Sequence, residues 1–74
     1  MKMAQFICQM MLKRIGEAEY QLVEIAHRTT VPGLRDIVEV PVEKKRVRGR
    51  VVHVASPPPD KAGTFRVDLD EVAP

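Results

Sequence analysis

The stretch that decides the fold is IVEVPVEKKRVRGRV, residues 37–51. Valines recur at alternate positions on both sides of a charged centre, and charged side chains occupy most of the positions between them. Alternation with a period of two is typical of β-strands that have one buried face and one solvent face. The stretch therefore predicts two antiparallel strands joined by a short turn.

The alternation also predicts how these two strands pair. If Lys44 and Lys45 form a two-residue turn, the valines of the two strands lie opposite one another on one face, with Val42 facing Val47. A shift of one residue would move each valine to the solvent face, so the pattern favours this pairing. The ion pairs predicted on the opposite face are Glu43–Arg46 and Glu39–Arg50.

A third strand is predicted after a proline-rich connection, residues 56–63. Its apolar positions alternate with charged ones and are Phe65, Val67 and Leu69. The adjacent Val51 and Val52 interrupt the alternation of the second strand, which predicts either a β-bulge or a cover over both faces there. Residues 35–70 are thus predicted to form a three-stranded, mainly antiparallel sheet.

The first 28 residues carry a different pattern. Good helix formers dominate residues 3–28. The apolar side chains at the spacing of one helical face are Met3, Phe6, Ile7, Met10 and Met11. A second, heptad-like seam overlaps this stripe and continues to Ile25. The segment therefore predicts one or two helices, with Gly16 as the point of division.

A chain of 74 residues allows one domain at most. Together the patterns predict a single α+β domain in which one or two N-terminal helices (1–28) pack on the small three-stranded sheet (35–70). The alternative is a small β-barrel with an N-terminal helix, in which residues 17–27 add a fourth strand. That alternative requires a bulge, because the apolar positions change face after Leu22.

The N-terminal segment carries more apolar surface than one sheet face can cover. A second copy of the chain is the simplest cover for the second stripe. The sequence therefore predicts a non-enzymatic interaction module that self-associates into a homodimer or a higher homo-oligomer. The residues predicted to make this contact are Met3, Phe6, Ile7, Met10, Met11 and Ile15.

The alternative function is weak nucleic-acid binding. The net charge of +2 is too small to direct the whole protein to a polyanion, but cations are concentrated in the predicted hairpin. The residues predicted to contact phosphates are Lys44, Lys45, Arg46, Arg48 and Arg50. Two features weigh against this function: the outward-facing acids and bases of the predicted strands balance, and no stacking aromatic side chain accompanies the cations.

The sequence contains no pattern typical of catalysis or of metal binding. Cys8, His27 and His53 have none of the spacings that zinc sites use. Ser56 and Asp60 accompany His53, but no nucleophile elbow is present. The protein is therefore predicted not to be an enzyme, with no catalytic residue, metal, cofactor or small-molecule ligand.

The apolar run at residues 3–12 resembles a signal peptide only superficially, since no small-residue cleavage site follows it. It is also shorter than the ~20 residues that a membrane-spanning helix needs. The single cysteine, Cys8, excludes an intrachain disulfide. These features predict a protein with no membrane span and a cytoplasmic location.

Overall fold

The structure is a computed structural model that describes residues 5–56 and 63–73. Its five strands are β1 (Phe6–Lys13), β2 (Gln21–Arg28), β3 (Ile37–Val42), β4 (Lys45–Ala55) and β5 (Thr64–Glu71). They form one sheet in the order β2-β1-β5-β4-β3, in which only β1 and β5 are parallel. The edge strands β2 and β3 approach each other, so the sheet curls into a half-barrel. The predicted α+β fold is therefore wrong, because the described part of the chain is all sheet.

The predicted N-terminal helices are replaced by β1 and β2. In β1, Cys8, Met10 and Leu12 point to the inside of the curl and are at most 1% exposed. The alternate residues Ile7 and Met11 lie half-buried on the outer face. A strand that is apolar on both faces produces the same spacings as a helical stripe. The pairing of β1 with both β2 and β5 is what the local pattern could not reveal.

The alternative of a fourth strand at residues 17–27 is closer to the structure, since β2 occupies residues 21–28. The bulge that it required is present. Met10 lies opposite Glu24 while Met11 lies opposite Leu22, which leaves Val23 as the extra residue. The N-terminal helix of that alternative is nevertheless wrong, because β1 takes its place.

The three strands predicted in residues 35–70 are confirmed as β3, β4 and β5, but the β3–β4 register differs from the prediction by two residues. Glu43 and Lys44 form the turn, with φ of 48° and 70°, as a two-residue type I′ turn requires. Val40 therefore lies opposite Val47 rather than Gly49. A shift of two residues leaves every side chain on its predicted face, so the valines still point inward.

The bulge predicted near Val51 and Val52 is confirmed. Val51 lies opposite Leu69 and His53 opposite Asp68, so Val52 is the extra residue of β4. Within residues 5–56 and 63–73 there is no helix long and apolar enough to cross a membrane.

The core fills the inner side of the curled sheet. Its residues are Cys8, Met10, Leu12, Val38, Val40, Val51, Val67 and Leu69. The connection between β2 and β3 adds Val31, which packs against this core, and Pro32, which is buried. Phe6 meets Phe65 edge to face, with ring centroids 5.6 Å apart. One face of one sheet thus supplies nearly all of the buried apolar surface.

Candidate nucleic-acid interface

The five cations of the predicted phosphate-binding segment all lie in the β3–β4 hairpin, and we call them the basic hairpin: Lys44, Lys45, Arg46, Arg48 and Arg50. All five side chains are exposed. Arg46, Arg48 and Arg50 are alternate residues of β4, so they share its outer face. The structure therefore brings the predicted residues together on one rigid element.

The tip of this hairpin extends beyond the third strand of the sheet. β4 pairs with β5 only from Gly49 onward, and one further hydrogen bond joins the Val72 amide to the Arg48 carbonyl. Residues 45–48 otherwise pair with β3 alone. At about 3.3 Å per residue this part is ~13 Å long, and with residues 39–42 of β3 it forms a two-stranded ribbon. The cations lie on its exposed outer face, whereas Val40 is fully buried and Val42 and Val47 pack against the core on its inner face.

The acidic residues of β5 contact side chains that lie outside the basic hairpin. Asp68 accepts a hydrogen bond from Arg66 Nε at 2.8 Å and lies 3.6 Å from His53 Nδ1. Asp70 accepts a hydrogen bond from the hydroxyl of Tyr20 and lies 3.8 Å from Lys13 Nζ. These carboxylates are consequently occupied by partners other than the basic hairpin.

Only one ion pair forms within the hairpin itself, among the residues that the structure describes. Arg46 Nε lies 3.2 Å from Glu39 Oε2, with both side chains more than half exposed, and such a pair contributes at most about 1 kcal/mol. The predicted Glu43–Arg46 and Glu39–Arg50 pairs are absent from these described residues because the register differs. Lys44, Lys45, Arg48 and Arg50 have no carboxylate within 4.0 Å in the described ranges.

Glu71 borders the basic hairpin and lines a shallow depression with Arg46 and Arg48. Its carboxylate accepts hydrogen bonds from Arg14 Nε at 2.7 Å and from the Ile15 amide at 3.0 Å. The Arg14 bond is the main reason that the pKa of Glu71 is lowered. Arg14 thus compensates the charge of Glu71, and the five cations of the hairpin outnumber its own carboxylates, Glu39 and Glu43.

The structure places the residues predicted for self-association in different parts of the molecule, some in the core and others on its surface. Met10 is fully buried inside one copy and is removed from that set, because it cannot reach a partner. Phe6 packs edge to face on Phe65. Ile7 and Met11 lie on the outer face, and Ile15, in the β1–β2 connection, is 63% exposed. Met3 lies outside the described residues.

Two further apolar residues of the outer face belonged to the predicted heptad-like seam but not to the set predicted for self-association. Leu22 and Ile25 of β2 are 52% and 54% exposed. They lie opposite Met11 and Gln9 of β1, and we call Ile7, Met11, Leu22 and Ile25 the apolar outer face. The required bulge after Leu22 was the signal that would have placed Leu22 and Ile25 together.

Metal and nucleophile chemistry finds little support in the described ranges. Residues 5–56 and 63–73 contain no group of three or more His, Cys, Asp or Glu side chains that could hold a metal ion. Cys8 is buried, and this burial raises the pKa of its thiol. The proline-rich connection at residues 57–62, with Asp60, lies outside the described residues.

No family model, no curated protein and no solved structure matches this chain.

The contact between Tyr20 and Asp70 gives a prediction for alkaline pH. The hydrogen bond to Asp70 holds the phenol protonated and raises the pKa of Tyr20 to about 12, whereas an unfolded tyrosine ionises near pH ~10. The stabilisation of the fold by this hydrogen bond is fully present below pH ~10 and is lost as the pH rises through the folded pKa of Tyr20. We expect Tyr20→Phe to lower the free energy of unfolding by ~1 kcal/mol near neutral pH.

Urea unfolding of the wild type and of Tyr20→Phe at several pH values measures this difference. It should shrink steadily above pH ~10, since every other titrating group is common to both chains. A difference that stays constant across this pH range would contradict the bond between Tyr20 and Asp70.

Proposed function

We propose that the chain is a non-catalytic nucleic-acid-binding protein that contacts phosphates through the basic hairpin. The observation that carries this proposal is the separation of charge on the outer face. The acids of β5, including Glu71, are engaged by other cations, whereas Lys44, Lys45, Arg48 and Arg50 have no carboxylate within 4.0 Å in the described ranges. The balance of acids and bases that counted against this function in the sequence thus leaves four cations of the hairpin outside every ion pair of the described residues.

Phosphate binding follows from this arrangement because each phosphate that a cation neutralises releases condensed counterions. With four or five contacts, log K should fall with log salt concentration at a slope near −4 for duplex DNA. A slope of that size, without base contacts, suits dissociation constants of ~10⁻⁶ to 10⁻⁴ M at physiological salt. The hairpin by itself thus supports modest affinity with strong salt dependence.

The test is binding to fluorescently labelled DNA and RNA, measured by anisotropy at about 50 mM and about 200 mM salt. A slope near −4 over this fourfold change in salt gives an affinity loss of roughly 150- to 500-fold for four or five contacts. Absence of binding at the lower salt concentration, or binding that does not change with salt, would rule the proposal out.

The same proposal includes a reducing, cytoplasmic location. Cys8 is a free thiol that is buried within the core of the described residues. Reducing compartments keep such thiols intact, and nucleic acid is accessible there.

Self-association remains a second candidate function, supported by the apolar outer face. Leu22 and Ile25 expose about half of their side chains beside Ile7 and Met11, on a hairpin whose outer member, β2, is an edge strand. Covering half of an aliphatic side chain gains about 1 kcal/mol. Association costs ~4–15 kcal/mol in lost freedom, so this face supports only a weak homodimer. It ranks second because the inner stripe of β1 is covered by the chain itself.

Sedimentation equilibrium from about 10 μM to about 1 mM tests this second function, since a weak dimer dissociates in that range. The double variant Leu22→Gln/Ile25→Gln should be monomeric throughout. Leu34→Gln/Ile37→Gln is the matched control, because these residues are similarly exposed but lie elsewhere. A wild type that is monomeric at every concentration would contradict self-association.

A further inference from the structure

The tip of the basic hairpin is a ribbon two strands wide that carries cations on its outer face. We propose, resting on the function proposed above, that residues 39–48 place the outer face of their two-stranded ribbon in the major groove of double-stranded DNA, while its inner face stays packed on the core. The alternative for a cationic surface is to lie along a single strand or along the outside of any duplex. Three features of the described residues favour the groove.

The first feature is width. Residues 45–48 pair with β3 but not with the strand beyond it, so the ribbon is two strands wide, with ~4.8 Å between them. The major groove of B-DNA is about 12 Å wide and admits a two-stranded ribbon, whereas the minor groove is only about 6 Å wide. The major groove of A-form RNA is too narrow to admit side chains deeply. The ribbon therefore matches B-form DNA among the common duplexes.

The second feature is the placement of the cations. Arg46 and Arg48 share the outer face of the ribbon with Glu39, which pairs with Arg46. The planar guanidinium group of Arg48, which has no carboxylate within 4.0 Å in the described ranges, can meet acceptors on base edges. Lys44 lies in the turn and Lys45 follows it, so these two ammonium groups can reach the phosphates that flank the groove. Arg50 lies farther back, opposite Asp70, where the ribbon joins the rest of the sheet.

The third feature is the position of the aromatic side chains. Proteins that bind single strands stack bases on exposed aromatic rings. Residues 37–51 contain no aromatic side chain. Phe6 and Phe65 pack on each other, and the hydroxyl of Tyr20 is bonded to Asp70 while Lys13 lies over its ring. The hairpin thus offers charge and shape without a surface on which single-stranded bases could stack.

The experiment compares four labelled probes of one sequence and length at a single, low salt concentration. They are duplex DNA, one of its separate strands, the corresponding duplex RNA, and duplex DNA whose cytosines carry glucosylated 5-hydroxymethyl groups. The last probe keeps the phosphate charges and the minor groove but fills the major groove. We expect unmodified duplex DNA to bind at least about 10-fold more tightly than each of the other three, a difference of ~1.4 kcal/mol.

The outcomes separate this inference from the function on which it rests. Equal affinity for all four probes, or tighter binding of the single strand or of the RNA, would overturn binding in the major groove and leave the proposed phosphate binding in place. Binding to none of them would overturn both. Vesicles of phosphatidylglycerol serve as a further polyanion, and binding to these vesicles without binding to DNA would also overturn both.

Discussion

Replacing Gly49 by alanine is expected to lower the free energy of unfolding by about 2–3 kcal/mol, the upper part of the usual range for overpacking a core. A Cβ atom at this position would lie 2.8 Å from Leu69 Cβ and 3.2 Å from Leu12 Cδ1. The Leu12 methyl group can rotate away, but Leu69 Cβ is attached directly to the backbone of β5. The alanine therefore forces β4 and β5 apart at the place where the ribbon begins.

The loss is large for a protein of this size, because 74 residues correspond to a total stability of only ~4–11 kcal/mol. Urea unfolding should show a lower midpoint with an unchanged slope. Gly33→Ala is the matched control, since its new Cβ meets only Asp36 Oδ2, at 3.6 Å, and it should change stability by no more than about 0.5 kcal/mol. If Gly49→Ala were as stable as the control, the close approach of β4 to β5 would be contradicted.

The contrast between β1 and β5 explains how much of the fold the sequence could predict. In β5, Val67 and Leu69 alternate with charged residues, so a period of two is visible and the strand was predicted correctly. In β1, Ile7 and Met11 make the outer face apolar as well, so the period is hidden and helical spacings appear instead. Local patterns reveal a strand only when its two faces differ in polarity.

The basic hairpin shows a second limit of the sequence. The strands that carry it and the faces of their side chains were predicted correctly, but a two-residue change of register is invisible to a pattern of period two. The turn decided the register, and Glu43 and Lys44 adopt positive φ there without being glycine or asparagine. Because register sets which charges meet, the predicted neutralisation of Arg50 by Glu39 was wrong. The evidence for phosphate binding depends on that difference.

Replacing Lys45 and Arg48 by glutamine is expected to reduce the affinity for duplex DNA by roughly 10- to 100-fold at about 0.1 M salt, and to lower the salt slope by about 2. Neither residue belongs to an ion pair among the described residues, and both are exposed. The substitution therefore removes phosphate contacts without removing a partner that the fold uses. Glutamine keeps a long polar side chain on the strand, so the stability of the hairpin should change little.

The matched control is Arg28→Gln/Arg35→Gln, which removes the same charge from the end of β2 and from the connection that precedes β3. Its effect on binding should be confined to the attraction that net charge provides, which salt screens. Because the control leaves the phosphate contacts in place, its salt slope should equal that of the wild type. If both double variants lost affinity and slope equally, net charge rather than the basic hairpin would be responsible for binding. A loss restricted to Lys45→Gln/Arg48→Gln would locate the contact on the ribbon, where the register of β3 and β4 leaves these cations without carboxylate partners.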